Sequence, residues 1–135
     1  MDAGPALVSI LRQGSNLIAS IHTALDDSEM TRFREDLVNQ IGQHRARGVI
    51  IDVAALDVLD SFGSSTLREI AEMARLRGAV TVIVGIQPDV AYAMVALGMD
   101  TQLLRTALDL EEGLAYLKRF GGSGGYGPPR LGGRA

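Results

Sequence analysis

Two short apolar runs, residues 48–53 and 79–86, do most to limit what this chain can become. Each is too short to be a helix of ordinary length. Each follows a segment with helical periodicity, and the second is rich in β-branched residues. The run at 48–53, with an acid only at 52, reads as a strand buried on both faces, which occurs where helices cover both sides of a parallel sheet. Alternating strands and helices imply an α/β layer fold with right-handed crossovers.

The rest of the chain fits that frame. Residues 6–11 and 16–22 read as two strands joined at Gln13-Gly14-Ser15 by a hairpin-like turn. Residues 26–47 read as a helix: Asp26 and Glu29 have capping-box spacing, and Met30, Phe33, Leu37 and Ile41 form one apolar stripe. Gly48 is expected to end that helix as a left-handed residue. A second helix runs from Asp60 or Ser61 to Arg77 with Leu67, Ile70, Ala71 and Ala74 as its stripe, and Gly78 ends it. Pro88 opens a third helix carrying Val90, Ala91, Met94 and Val95, which Gly98 ends. Residues 101–104 read as a short edge strand. Asp109 and Glu112 box the start of a last helix bearing Leu110, Leu114 and Leu117.

Length and composition restrict function. The 135 residues allow one domain, read as 1–120, followed by a Gly/Pro-rich tail at 121–135 whose composition predicts disorder. Thirteen basic and sixteen acidic residues leave a net charge of −3, which argues against nucleic acid as a partner. There is no cysteine, and two histidines, His22 and His44, are too few for most metal sites. No cofactor or metal is expected. No basic residue precedes the first apolar stretch, and no run approaches the length that spans a bilayer. A cytoplasmic protein without membrane contact is expected.

The informative stretch is 50–66. A buried strand delivers the chain to a loop with Asp57 and Asp60, and Ser61 sits where the next helix begins. In open α/β sheets, ligands and chemistry collect at strand ends and at the helix N-termini beyond them. Free N–H groups and a partial positive charge let such an N-terminus hold a phosphate, bound or attached to a serine. The same position equally suits Ser61 as an ordinary N-cap. Asp52 reads as a loop cap rather than a catalytic acid. A serine hydrolase is disfavoured because Ser61 lacks a Gly-x-Ser-x-Gly frame and a nearby histidine. A nucleotide or lipid carrier is disfavoured because no glycine-rich loop follows a strand.

The motifs RGVIID at 47–52, ALD at 55–57, LDSF at 59–62 and VGIQP at 84–88 resemble those of STAS domains. With ALGM at 96–99, RTAL at 105–108 and EG at 112–113, the resemblance covers nearly all of 5–120 and is strongest to RsbS-type stressosome scaffold proteins. It implies a mixed sheet of four to five strands with about four helices, and a non-enzymatic stress-signalling role. It also implies an RsbT-type serine kinase as binding partner, RsbR-type STAS proteins as co-assembling partners in a homo- or hetero-oligomer, and an RsbX-type phosphatase. The phosphorylated serine would be Ser61. Asp57, Asp60, Phe62 and Gly63 are the expected kinase-docking residues, with Ser64, Ser65 and Thr66 as secondary candidates for phosphate. The run Gly63-Ser64-Ser65-Thr66 is closer to stand-alone anti-sigma-factor antagonists of the RsbV and SpoIIAA type, which gives the alternative reading.

Overall fold

The structure, a computed structural model, describes residues 6–99 and 104–121. Strands β1 (Val8–Gln13) and β2 (Asn16–Ile21) form a hairpin across Gly14-Ser15. Helix α1 (Asp27–His44) leads to β3 (Gly48–Asp52), α2 (Ser61–Leu76) to β4 (Val80–Val84), and α3 (Pro88–Ala96) precedes β5 (Arg105–Ala107). Helix α4 (Leu110–Phe120) closes the described chain.

The five strands lie in the order β1-β2-β3-β4-β5. Only β1 is antiparallel to its neighbour, and β2 to β5 run parallel. Right-handed crossovers stepping one way across a sheet place their helices on one face. The larger core accordingly joins Leu37 and Ile41 of α1, Leu67 and Ile70 of α2, and Val90 and Met94 of α3 to Val49 and Ile51 of β3. Helix α4 returns over the opposite face, where Leu117 packs with Ile18, Ile50, Val82 and Val84. Strand β3 thus has side chains buried on both faces, as its unbroken apolar run required.

The stripes expected on α1 and α2 are buried in full. Asp26 and Glu29 form the expected reciprocal box, each backbone N–H donating to the other's carboxylate at 2.8 Å. Asp109 takes the Glu112 N–H at 2.9 Å, but the Glu112 carboxylate reaches the Leu108 N–H rather than that of Asp109.

Four expectations need correction. Helix α1 ends earlier than 47, with Arg45 rather than Gly48 in the left-handed region at φ 49°. Gly48 instead begins β3, where a Cβ would lie 2.5 Å from Asn16 Oδ1 and 2.7 Å from Leu117 Cδ1, so the glycine answers close packing. On α3 only Val90 and Met94 are buried, while Ala91 and Val95 face outward because one sheet face covers only one side of a short helix. The last strand is Arg105–Ala107, whereas residues 101–103 of the expected strand lie outside the described residues, and Leu104 precedes the strand as a core residue. Gly78 and Gly98 take positive φ after α2 and α3, as expected. All but the first residue of the tail at 121–135 lies outside the described residues.

Candidate functional site

Strands β3 and β4 are parallel neighbours, so the helices that follow them start at the same end of the sheet. That end carries the loop from Val53 to Asp60 and the first turn of α2. The loop is fastened at two points. Asp52 Oδ1 accepts the Ala54 N–H at 2.9 Å, the loop-capping role expected of it. Gln87, at the start of α3, donates from Nε2 to the Ala54 carbonyl at 2.6 Å, a link across 33 residues of chain that no local motif foretells. Leu56 and Leu59 turn into the core, whereas Asp57, Val58 and Asp60 stay exposed.

At the start of α2 the division of labour between Asp60 and Ser61 is clear. Asp60 is the N-cap: its Oδ1 accepts the Gly63 N–H at 2.7 Å, and its carbonyl accepts the Ser64 N–H at 3.0 Å. Ser61 is the first residue of the helix and exposed, and its hydroxyl takes no part in capping. The N–H groups of Ser61 and Phe62 have no partner among the described residues. The first turn contains no acidic residue. An exposed hydroxyl thus stands over free N–H groups at the positive end of a sixteen-residue helix.

The neighbouring residues divide by burial. Phe62 is 38% exposed and Val58 66%, so both offer apolar surface beside Ser61. Gly63, expected to dock the kinase, is instead buried: a Cβ there would come within 2.9 Å of Leu59 Cδ1 and 3.2 Å of Asp60 Oδ1. Its absent side chain lets the cap form. Ser64 and Thr66, the secondary candidates for phosphate, are only 4% and 1% exposed, because both lie on the core side of the helix. The Thr66 hydroxyl donates to the Phe62 carbonyl at 2.8 Å. Ser65 is half-buried. Of the four hydroxyl-bearing residues in 61–66, Ser61 is the one that is exposed. Among the described residues, no group of three His, Asp or Glu side chains is placed to hold a metal ion, and no helix is long and apolar enough to cross a membrane.

The capping assignment carries a stability prediction. Asp60→Ala should cost about 1 kcal/mol, the usual loss for an N-cap. Ser61→Ala should fall within about 0.5 kcal/mol of the parent, as exposed substitutions outside such features do. Urea unfolding of the two variants checks this; a larger loss in Ser61→Ala would make the serine the cap.

Comparison with known proteins agrees with this architecture. The chain matches the STAS domain family over residues 8–113 and belongs to it. Among solved structures, a serine-to-glutamate variant of RsbS from Moorella thermoacetica superposes with a TM-score of 0.76 at 36% identity, covering 84% of this chain and 97% of that one. A chain from the stressosome, described as a signal integration and transduction hub, gives 0.69 at 32% identity over 82% of this chain and 96% of its own. SpoIIAA, an anti-sigma-factor antagonist, gives 0.64 at 14% identity, covering 84% of this chain and 98% of its own, which speaks to fold alone. The RsbT co-antagonist protein RsbRA of Bacillus subtilis is 31% identical over 90 residues, 67% of this chain. This chain spans about a third of the length of the curated relatives it matches. It is therefore a STAS protein of the stressosome type, related to RsbS and RsbR.

Proposed function

We propose that this chain is a non-enzymatic scaffold that binds an RsbT-type serine kinase and is switched by phosphorylation of Ser61. It would assemble with RsbR-type STAS proteins, and an RsbX-type phosphatase would reset it. The observation that carries this reading is the exposed Ser61 hydroxyl at the first helical position, relieved of capping by Asp60. Similarity at 36% and 32% identity to RsbS and to a stressosome chain, against 14% to SpoIIAA, favours the scaffold over a stand-alone antagonist.

A phosphate on Ser61 brings about −1.5 to −2 charges at neutral pH. The free N–H groups and helix dipole of α2 stabilise that charge locally, so the fold survives modification. A partner seated over Ser61 and Phe62 would have to desolvate it beside Asp57 and Asp60, both already negative, so the modified surface releases the kinase.

Intact-mass and peptide mass spectrometry after incubation with an RsbT-type kinase, ATP and magnesium tests the assignment. One phosphate is expected, on the peptide containing Ser61, and none in Ser61→Ala. A phosphate that persists in Ser61→Ala, or a kinase that binds without modifying the chain, overturns Ser61 as the switch.

A further inference from the structure

The helices all run the same way against the parallel strands, so α1, α2 and α4 end where β2, β3 and β4 begin. Contacts draw those ends together. The Arg12 guanidinium, near the end of β1, reaches His44 Nδ1 in the last turn of α1 at 3.5 Å. A Cβ on Gly42 of α1 would lie 3.1 Å from the guanidinium of Arg77, just past α2. Leu117 of α4 crowds Gly48 at the start of β3.

This end of the molecule is basic. Arg12, Arg45, Arg75, Arg77, Lys118 and Arg119 are all exposed on it. Among the described residues, no acid lies in the last turns of α1, α2 and α4 or in segments 13–15, 45–47 and 77–79. The ion pairs of the described residues, Arg34 with Glu69 and Arg68 with Glu72, use none of the six. Cations at helix C-termini offset the macrodipole, but each terminus carries only about half a negative charge, so even four helix ends leave an excess of about four positive charges. The acids gather at the other end, where Asp26, Asp60 and Asp109 cap helices and Asp57 and Asp89 lie beside them. Helix α1, with 18 residues, holds the two ends about 27 Å apart. The Debye length at physiological ionic strength is about 8 Å, so the acidic end does not neutralise the basic one. The net charge of −3 hides this division.

Two apolar side chains stand at the basic end. Leu76, between Arg75 and Arg77, is 86% exposed, and Phe120, after Lys118 and Arg119, is 56% exposed. One belongs to α2 and the other to α4, on opposite faces of the sheet. A nucleic-acid backbone is held by cations alone, and an exposed leucine adds nothing there. On an anionic membrane both groups are used: cations meet the headgroup phosphates, and apolar side chains enter the boundary with the acyl chains.

We propose that this end is a docking surface for a membrane carrying anionic lipid, with Leu76 and Phe120 entering the headgroup layer and the six cations facing the phosphates. The expectation of no membrane contact rests on the lack of a spanning run, which docking of this kind does not need. The sequence continues with the same sign, since no acid follows Glu112, and Arg130 and Arg134 lie beyond the described residues. Docking by this end turns the start of α2 away from the bilayer and leaves Ser61 open to solvent. The proposal rests on the placement of charge and stands or falls separately from the role given to Ser61.

Co-sedimentation of the full-length chain with vesicles tests it. Vesicles with about 30% phosphatidylserine in phosphatidylcholine should retain at least ten times more protein than phosphatidylcholine alone, and about 0.5 M salt should abolish the difference. The combined variant Arg75→Gln, Lys118→Gln, Arg119→Gln, with unchanged circular dichroism, should lose at least tenfold. Leu76→Ser keeps every charge and should still lose about threefold or more. The chain has no tryptophan, which gives a test of orientation independent of those variants. Phe120→Trp should shift its emission to the blue on the anionic vesicles and be quenched by brominated lipid, whereas Val58→Trp, near Ser61, should do neither. Equal retention on the two kinds of vesicle, or equal quenching at positions 58 and 120, overturns the proposal. So does a parent that binds duplex DNA more tightly than the anionic vesicles, which would make nucleic acid the partner.

Discussion

Ser61→Glu is expected to weaken binding of an RsbT-type kinase at least tenfold while its thermal midpoint stays level with the parent or rises by up to about 4 °C. The two halves of that prediction come from the same geometry. Glutamate at the first helical position adds one negative charge near the positive end of α2, where charge of that sign is stabilising by about 0.3–1 kcal/mol. The hydroxyl it replaces caps nothing, because Asp60 holds the Gly63 N–H. The folded state therefore loses no bond. The partner's side of the balance is different. A kinase covering Ser61 and Phe62 must strip water from the new carboxylate beside exposed Asp57 and Asp60. A penalty of about 1.4 kcal/mol already gives the tenfold loss. Phosphate carries up to twice the charge of glutamate, so the modified parent should bind more weakly still. Calorimetric titration of the parent, Ser61→Ala and Ser61→Glu with one kinase preparation measures the effect. Ser61→Ala should bind like the parent, which separates charge from loss of the hydroxyl. A glutamate variant that binds as tightly as the parent removes the electrostatic switch.

How much of this was readable from the chain alone depends on how local each determinant is. Strands β3 and β4 announce themselves because burial on both faces demands an unbroken apolar run. Helices α1 and α2 do so because Met30, Phe33, Leu37 and Ile41, and then Leu67, Ile70, Ala71 and Ala74, recur at helical spacing. Strand β5 has no such pattern: Arg105-Thr106-Ala107 is short and mostly exposed, held by its register with β4. Gly48 misleads because a glycine after a helix ordinarily reports a left-handed cap. Here it reports the close approach of Asn16 and Leu117, side chains 32 and 69 positions away in sequence. The site follows the same rule. That Asp57, Asp60 and Ser61 share one loop and helix start was legible. Which of Asp60 and Ser61 caps was not, since both residue types are favoured there. The burial of Gly63, Ser64 and Thr66 follows from Leu59 and the core side of α2, which only the tertiary structure brings in.

The largest stability effect is expected at Gly85, which joins the fold to the site. Gly85 follows β4 with φ at 77°, a region that costs a side-chain-bearing residue about 1–2 kcal/mol. Space there is also closed. A Cβ would sit 2.9 Å from Ala54 Cβ, 3.1 Å from Asp52 Oδ1 and 3.2 Å from Ala54 Cα. Backbone on one side and a hydrogen-bonded carboxylate on the other leave no flexible group to give way, and overpacking of this kind adds about 1–3 kcal/mol. Gly85→Ala should therefore lose about 2–5 kcal/mol, a large share of the 5–15 kcal/mol that holds a domain of this size. Its thermal midpoint should fall by about 8 °C or more. The displaced atoms belong to Ala54, whose N–H is held by Asp52 and whose carbonyl is held by Gln87. Relief of the clash must move the loop that carries Asp57 and Asp60 to the start of α2. Hydrogen exchange at native temperature should accordingly rise first in residues 54–63, while the N–H groups of β3 stay protected. Gln87→Ala removes one fastening without the clash. It should loosen the same loop at a cost nearer 1 kcal/mol, the usual net worth of a hydrogen bond. Uniform acceleration of exchange across the sheet in Gly85→Ala, with the loop no faster than the core, would mean that the glycine supports global packing and does not brace the Ser61 loop.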